Sequence, residues 1–463
     1  MRRHSIAIAL VTLLSCDFPR PPLVSCTQDD CDAGFVCDPI SNKCVTAGID
    51  ASVPADTSVP ADTSSVCILD DECESGVCQQ GVGCTTPDAV LYVDPTGIAA
   101  GTCNKTEPCE LFYAKSLLTE TRSIIRLANG EYHLASGLIV DSPIHSLTIV
   151  GNHNAVMGRT AAGPVLEVKN GSTLEVRGIS LSKGVSCSDS GNVYISRTTF
   201  DSVGSEQYPL LMLSNCAVAS VSDSELIGSL VDGIHAESGV KLTIARTKIS
   251  GSAASGVFST DSQLDIVSST ISDNGDLGVR TAVQKLGIHR TTISSNHGGG
   301  VSGIGGEFDI TNNYIFRNGN DTNGEFGGLR LDTNTVDNRI IHNTIAYNDS
   351  DPVANPLYAG GLFCRGGGSF VNNLIVNNFA GSATQPNAQI GGTCDLVGSQ
   401  ISNSDTESRF VSSIVRPFDY HLATSASRAV NAGVIGPAPE PIDFDGDPRG
   451  DGAPDVGADE FKP

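Results

Sequence analysis

The chain has 463 residues, 28 of them Lys or Arg and 52 Asp or Glu, for a formal charge of −24. An acidic chain with no basic block is unsuited to nucleic acid or to an anionic membrane surface. Charged residues at 17%, Gly at 50 positions, 5% aromatics and no Trp exclude an ordinary helical protein, since average chains carry roughly 25% charge and ~7% Gly.

Residues 1–15 read as a signal peptide: Arg2 and Arg3 lead an apolar stretch from Ile6 to Leu14 that is too short to span a bilayer as a mature helix. The ending Leu13-Leu14-Ser15-Cys16 resembles a bacterial lipobox. That resemblance implies cleavage before Cys16, lipid on its thiol, and a tether over 16–25. The alternative is an ordinary signal with a coincidental Cys. Several acyl chains anchor stably where a single one is marginal. The expected address is therefore export with lipid anchoring to a bacterial outer membrane or cell surface, or else secretion. The anchor is the only contact expected with membrane.

The chain has 15 Cys, and setting Cys16 aside leaves 14, an even number suited to disulfides in an oxidising compartment. Eight fall in two quartets: Cys26, Cys31, Cys37, Cys44 and Cys67, Cys73, Cys78, Cys84. CTQDDCDAGFVC and CILDDECESGVC share an acidic pair before the second Cys, and the quartets lack the Cys-x-x-Cys spacing of a zinc site. They predict two small disulfide-rich modules, 26–44 and 67–86, with three pairings open in each. Residues 45–66 between them carry SVPADT twice in tandem. Pro, Ser, Thr and Asp without apolar periodicity make an extended linker. Anchor, linker and modules together read as a stalk with small stapled knobs.

Residues 87–165 predict an N-terminal cap and first coils: LYVDPTG as a strand, ELFYAKSLLTE as a capping helix and IIRLANGEYHL as a coil. Cys103 and Cys109 lie close enough to close a local loop. From 166 to 400 the chain repeats. Aliphatic anchors stand at Leu226, Ile249, Ile271, Ile293, Ile315, Ile345 and Ile375, after Phe200, with a period near 22 that lengthens to 30 in the last two units. Each unit opens on Gly and an aliphatic residue, as in Gly256-Val257, Gly278-Val279 and Gly300-Val301. Short β-branched runs broken by Gly, Ser, Asn and Asp at this period predict one solenoid coil per repeat. A leucine-rich repeat would need more Leu.

Two polar columns point to a parallel β-helix of about 9–11 coils. One runs Ser269, Thr291, Asn313, Asn343, Asn373; the other runs Asn274, Asn296, Asn318, Asn348, Asn378. Stacked at ~4.8 Å, identical Asn side chains bond along the stack and tolerate the left-handed backbone of tight turns. A third column, from Arg197, Asp223 and Arg246 through Arg290, Asn312, His342 and Asn372, reads as an exposed ladder of cross-strand pairs. Cys364 and Cys394 lie 30 apart, the local period, and predict a bridge between coils; Cys187 and Cys216 are a looser pair of the same kind.

Residues 401–463 predict a C-terminal cap ending in DFDGDPRGDGAPDVGADEF. This ending, the Tyr-Val-Asp start and the Asn-Asn-Thr-Ile coils resemble bacterial right-handed parallel β-helix proteins of the pectin-lyase-like superfamily, notably choice-of-anchor-type surface proteins. The resemblance spans residues 90 to 463. It implies an all-β right-handed parallel β-helix and a surface location, without implying one activity, since that superfamily holds lyases, hydrolases, epimerases and adhesins.

Site candidates are sparse. Asp443, Asp445, Asp447 and Asp455 are the candidate calcium ligands, but the EF-hand rule fails, with Pro448 in place of Gly and Pro454 in place of Glu. Arg449 among these acids favours a structural cap, and no cofactor other than calcium is implied. On the Gly-led strands the outward column is His235, Phe258, Arg280, Ser302, Arg330, Phe363. Arg280 and Arg330 are the candidate bases, with Glu237, Asp276 and Asp332 as acids and His235 beside them. The bland alternative is a solvated sheet face. No Asp-Asp pair of polygalacturonase type lies in the repeats, and no Trp offers a sugar platform. The expected function is a non-catalytic surface rod for adhesion or envelope structure; the alternative is a carbohydrate-active lyase or hydrolase, or a polysaccharide-binding protein. The expected partner is a polysaccharide or cell-surface ligand.

Overall fold

The computed structural model describes residues 35–38, 43–46 and 67–462, except 68–69, 80–81, 142–145, 202–207, 321–325, 352–358, 381–387, 436–439 and 450–451. The chain divides into two units, Met1–Ser64 and Ser65–Pro463. In the first, Phe35–Asp38 pairs antiparallel with Lys43–Thr46, placing Cys37 opposite Cys44. The signal peptide, Cys16, the tether and most of the linker lie outside the described residues.

The second unit is a parallel β-solenoid of three sheets with 13, 12 and 11 strands. One coil shows the plan. Gln263–Val267 belongs to the longest sheet, Thr270–Ser272 to the sheet of the aliphatic anchors, and Leu277–Ala282 to the glycine-led sheet. Leu226, Ile249, Ile271, Ile293, Ile315, Ile345 and Ile375 are direct register partners, and all are fully buried. Burying such a side chain stabilises by about 1.5–3 kcal/mol, so the column forms the interior of the rod. The same column extends back through Leu181, Met157 and Tyr132. Irregular spacing hides these early coils from a search for a period of 22.

Two corners of each coil share one construction. A residue in the left-handed region is followed by an inward side chain that bonds to the next coil. Asn274 Nδ2 donates to Asn296 Oδ1 at 2.8 Å, and the chain of bonds continues through Asn318, Asn348 and Asn378 to Gln389. The second ladder runs Asn313, Asn343, Asn373. Each Asn oxygen also accepts a backbone N–H of the preceding coil, as from Asn274 N to Asn296 at 3.2 Å. Buried turns thereby keep their polar groups satisfied. The column expected as an exposed strand ladder is the left-handed residue of one corner: Arg197, Asp223, Arg246, Arg290, Asn312, His342 and Asn372 have φ between 46° and 55°. Arg246 still pairs with Asp223 at 2.6 Å, although both are turn residues.

At the start, the helix Leu111–Ser116 buries Leu111 and Ala114, and its N-cap Glu110 accepts from Phe112 N and Tyr113 N. Disulfides join Cys103 to Cys109, Cys187 to Cys216 and Cys364 to Cys394. In the second module Cys67 joins Cys78 and Cys73 joins Cys84. This module is no free knob. Its Asp70 accepts from Arg197 at 2.8 Å and Arg177 donates to the Cys78 carbonyl at 2.7 Å, while Val77 packs with Val90, Tyr92, Ile124 and Val150.

The C-terminal segment also departs from expectation. Instead of closing the last coil, it runs back along the outside of the anchor sheet. Tyr314, Ala346, Leu374 and Val376 form a second apolar cluster with Tyr420, Leu422, Ala429, Val456 and Ala458. Val397 and Ile401 on the last coil stay 48% and 49% exposed.

Candidate functional site

The expected outward column on the glycine-led sheet exists. His235, Phe258, Arg280, Ser302, Arg330 and Phe363 are successive register partners, each above the last. Strand alternation turns these residues outward while Val257, Val279 and Val301 turn in and are fully buried. The His235 and Phe258 rings stack with centroids 4.6 Å apart, and the Arg280 guanidinium lies 5.8 Å from the Phe258 centroid.

A cleft of about 360 Å³ opens here, lined by Phe258, Asp276, Arg280, Ser302, Phe326 and Arg330 among others. Gly298 keeps it open beside Asp276, since a Cβ there would stand 2.3 Å from Asp276 Oδ1. Phe326, absent from the sequence reading, forms a wall.

The titratable groups occur as separate ion pairs. Arg280 pairs with Asp276 at 3.5 Å, and Asp332 pairs with Arg365 at 2.6 Å and Arg330 at 3.8 Å. His235 Nδ1 lies 3.0 Å from Asp232 and Nε2 lies 3.7 Å from Glu237. The hydrogen bond to Asp232 holds the His235 pKa above its ordinary value. Asp276 precedes its strand and Asp332 ends one two coils away, so these acids do not face each other across one bond. An ion-paired guanidinium offers donors and no acceptor. The arrangement suits holding an anionic or hydroxyl-rich chain better than proton transfer.

Lengthened connections border this face. They leave after Asn318, Asn348 and Asn378 and return at Gly328, Gly361 and Ile390, always at the corner between the anchor sheet and the glycine-led sheet. Their first residues stack, with Asp349–Ser350 pairing with Phe379–Ala380. The first two account for the units whose period lengthens to 30, and the third follows the last unit of that period.

The calcium candidates are not gathered around one point. Asp443 accepts from the backbone N–H groups of Asp447 and Glu460, and Asp455 from those of Asn431 and Phe461. Asp447 pairs with Lys462. Arg449 fastens the motif through Glu460 at 3.0 Å, Asn312 at 3.1 Å and the carbonyls of Gly457 and Ala458. Sequence reasoning missed a different cluster: His421 Nε2 lies 3.0 Å from Asp445, near the buried Asp459. Asp419 and His421, two apart on one strand and so on one face, were the available signal. Hydrogen bonds that His421 donates to Asp445 and Asp419 hold its pKa up to about 9, and burial pushes that of Asp459 up to about 6. Cys67, Cys73 and Cys78 also lie together, but disulfides occupy them.

A family model described as "Right handed beta helix region" matches residues 183–345 and 233–413. No curated protein matches the sequence. Among solved structures, a pectate lyase, Pel9A, is similar at 15% identity and TM-score 0.44, covering 81% of this chain and 96% of that one. PfbA, a surface adhesin of Streptococcus pneumoniae, is similar at 10% identity and TM-score 0.34, covering 63% and 85%. The Dettilon tailspike protein is similar at 12% identity and TM-score 0.28, covering 67% and 61%.

Proposed function

We propose that this chain, a right-handed parallel β-helix protein, is a non-catalytic surface rod that binds a polysaccharide or cell-surface ligand along its glycine-led face. The observation that carries this reading is the column from His235 to Arg330, where aromatic and cationic groups lie side by side and Asp276 and Asp332 are each paired with an Arg. Aromatic faces and guanidinium forks recognise sugars and their carboxylates by stacking and by paired hydrogen bonds. Hydrolysis of a glycosidic bond by acid–base catalysis needs two carboxyls flanking that bond, and Asp276 and Asp332 stand on different coils at opposite strand ends. The added chain length that follows Asn318, Asn348 and Asn378 supplies loop sequence at a border where a solenoid commonly binds.

Export and a lipid anchor at Cys16 belong to the same reading, supported by the N-terminal sequence and by five disulfides among the described residues. Among the described residues no helix is long and apolar enough to cross a membrane. A glycan array, run beside a polysaccharide depolymerisation screen with and without calcium, tests the function. Binding without turnover, weakened in the double variant Arg280→Ala/Arg330→Ala, is the expected result. Turnover that falls in the same variant would make the protein an enzyme.

A further inference from the structure

We propose that the C-terminal segment holds a divalent transition-metal ion, zinc in the first instance, between His421, Asp445 and Asp459. One donor atom from each of these side chains lies within 4.8 Å of the other two. Zinc bonds imidazole nitrogen and carboxylate oxygen at ~2.0–2.2 Å, so an ion fits among them with small side-chain movement. The group lies on the outer side of the anchor sheet and shares no residue with the cleft.

Two further features mark it as more than clustered acids. His421 Nδ1 is bonded to Asp419 at 2.6 Å, which fixes the ring and leaves Nε2 directed at Asp445. A carboxylate on the far nitrogen is the usual support of a metal-bound imidazole. The second feature is Tyr314. Its ring packs 5.2 Å from His421 and 4.6 Å from Phe444, it is 4% exposed, and its hydroxyl has no hydrogen-bond partner. A buried hydroxyl left unpaired is costly, and water bound to an ion at this site would satisfy it.

The donor set selects the ion. Calcium takes six to eight oxygens, whereas one imidazole with two carboxylates suits zinc and its neighbours. Exposed Asp445 leaves an entry path, and Asp459 is anchored by the Leu422 N–H at 2.7 Å. The ion would tie the hairpin strand carrying His421 to the Asp-rich ending, both beside Tyr314 of the solenoid. Its role is a further fastener for a segment that also packs on the rod by an apolar cluster, the Arg449 bonds, the Arg339–Glu440 pair and hydrogen bonds from Asn312, Arg317 and Asn372.

Calorimetric titration of the metal-free full chain with zinc, with thermal unfolding and cobalt(II) absorption in parallel, tests the site. One ion bound per chain, a raised Tm and visible cobalt bands of low coordination number are expected, with no matching stabilisation by calcium. Asp445→Asn, at an exposed position, and His421→Gln should each weaken binding by about tenfold or more, while His133→Ala, a surface His, should leave it unchanged. The proposal is overturned if zinc leaves Tm unmoved, if Asp445→Asn binds as well as the parent, or if calcium stabilises equally. An ion-pair network alone would lower the metal-free Tm in both variants and show no response to zinc, and that too overturns it.

Discussion

Gly278 and Asn296 compete for one space: a Cβ on Gly278 would stand 2.7 Å from Asn296 Nδ2 and 2.8 Å from the Gly300 carbonyl oxygen. Gly256 bears the same relation to Asn274. The glycine that opens each strand and the Asn ladder beneath it are therefore one device. Gly278→Ala is expected to destabilise by about 1–3 kcal/mol through overpacking. Asn296→Ala should cost more, because Asn274 N and Nδ2 both lose their acceptor, each orphan costing about 1–3 kcal/mol, while Asn318 Oδ1 keeps only the residue 296 N–H. Urea denaturation of the two variants gives the comparison; an Asn296→Ala chain as stable as the parent would remove the ladder from the account.

Asp70 is the fastener of the second disulfide module. It accepts from Arg197 and from Cys78 N, and it lies 3.4 Å from Arg177. Asp70→Ala leaves buried Arg177 with Glu175 as its acid and the Cys78 carbonyl as its link to the module, and is expected to loosen the module while the solenoid stays folded. The readout is limited proteolysis, with faster cleavage near residues 80–90 and an unchanged global Tm. Equal cleavage rates in parent and variant would show that the apolar contact of Val77 suffices.

His342 is buried at a left-handed corner, and burial, helped by Arg449, lowers its pKa to about 3 from an ordinary 6.5. Below pH 6.5 the unfolded chain takes up a proton that the folded chain refuses. Stability is therefore full above that pH and is lost as pH falls toward 3, by up to about 1.4 kcal/mol per pH unit from this group. The flanking coils carry Asn312 and Asn372 at the same corner, so His342→Asn fits the backbone and removes the slope. The difference in unfolding free energy between parent and variant from pH 7 to 4 isolates this residue, since other groups titrate in both chains. A difference independent of pH would refute the assignment.

Cys16→Ser is expected to move the protein from a detergent-soluble membrane fraction to the soluble one, or to block signal processing. Fractionation with metabolic lipid labelling reads both. A parent protein that takes up no lipid label has an ordinary signal and no anchor.

The rod was legible in the sequence because a solenoid writes its geometry into a period. Ile249, Ile271 and Ile293 stack in space because they recur in the chain, and the same recurrence placed both Asn ladders and the Cys364–Cys394 bridge. Recurrence alone does not say whether a column lies in a strand or a corner, which is why Arg197, Asp223 and Arg246 looked like strand residues. Only backbone conformation separates the two. The remaining features needed the tertiary structure because their contacts join non-repeating segments. Arg197 meets Asp70 across 127 residues and Arg449 meets Asn312 across 137. His421, Asp445, Asp459 and Tyr314 come together only because the C-terminal segment folds back along the anchor sheet. Its apolar side chains find cover there, against Tyr314, Ala346, Leu374 and Val376, and no periodicity in the chain encodes that choice of face.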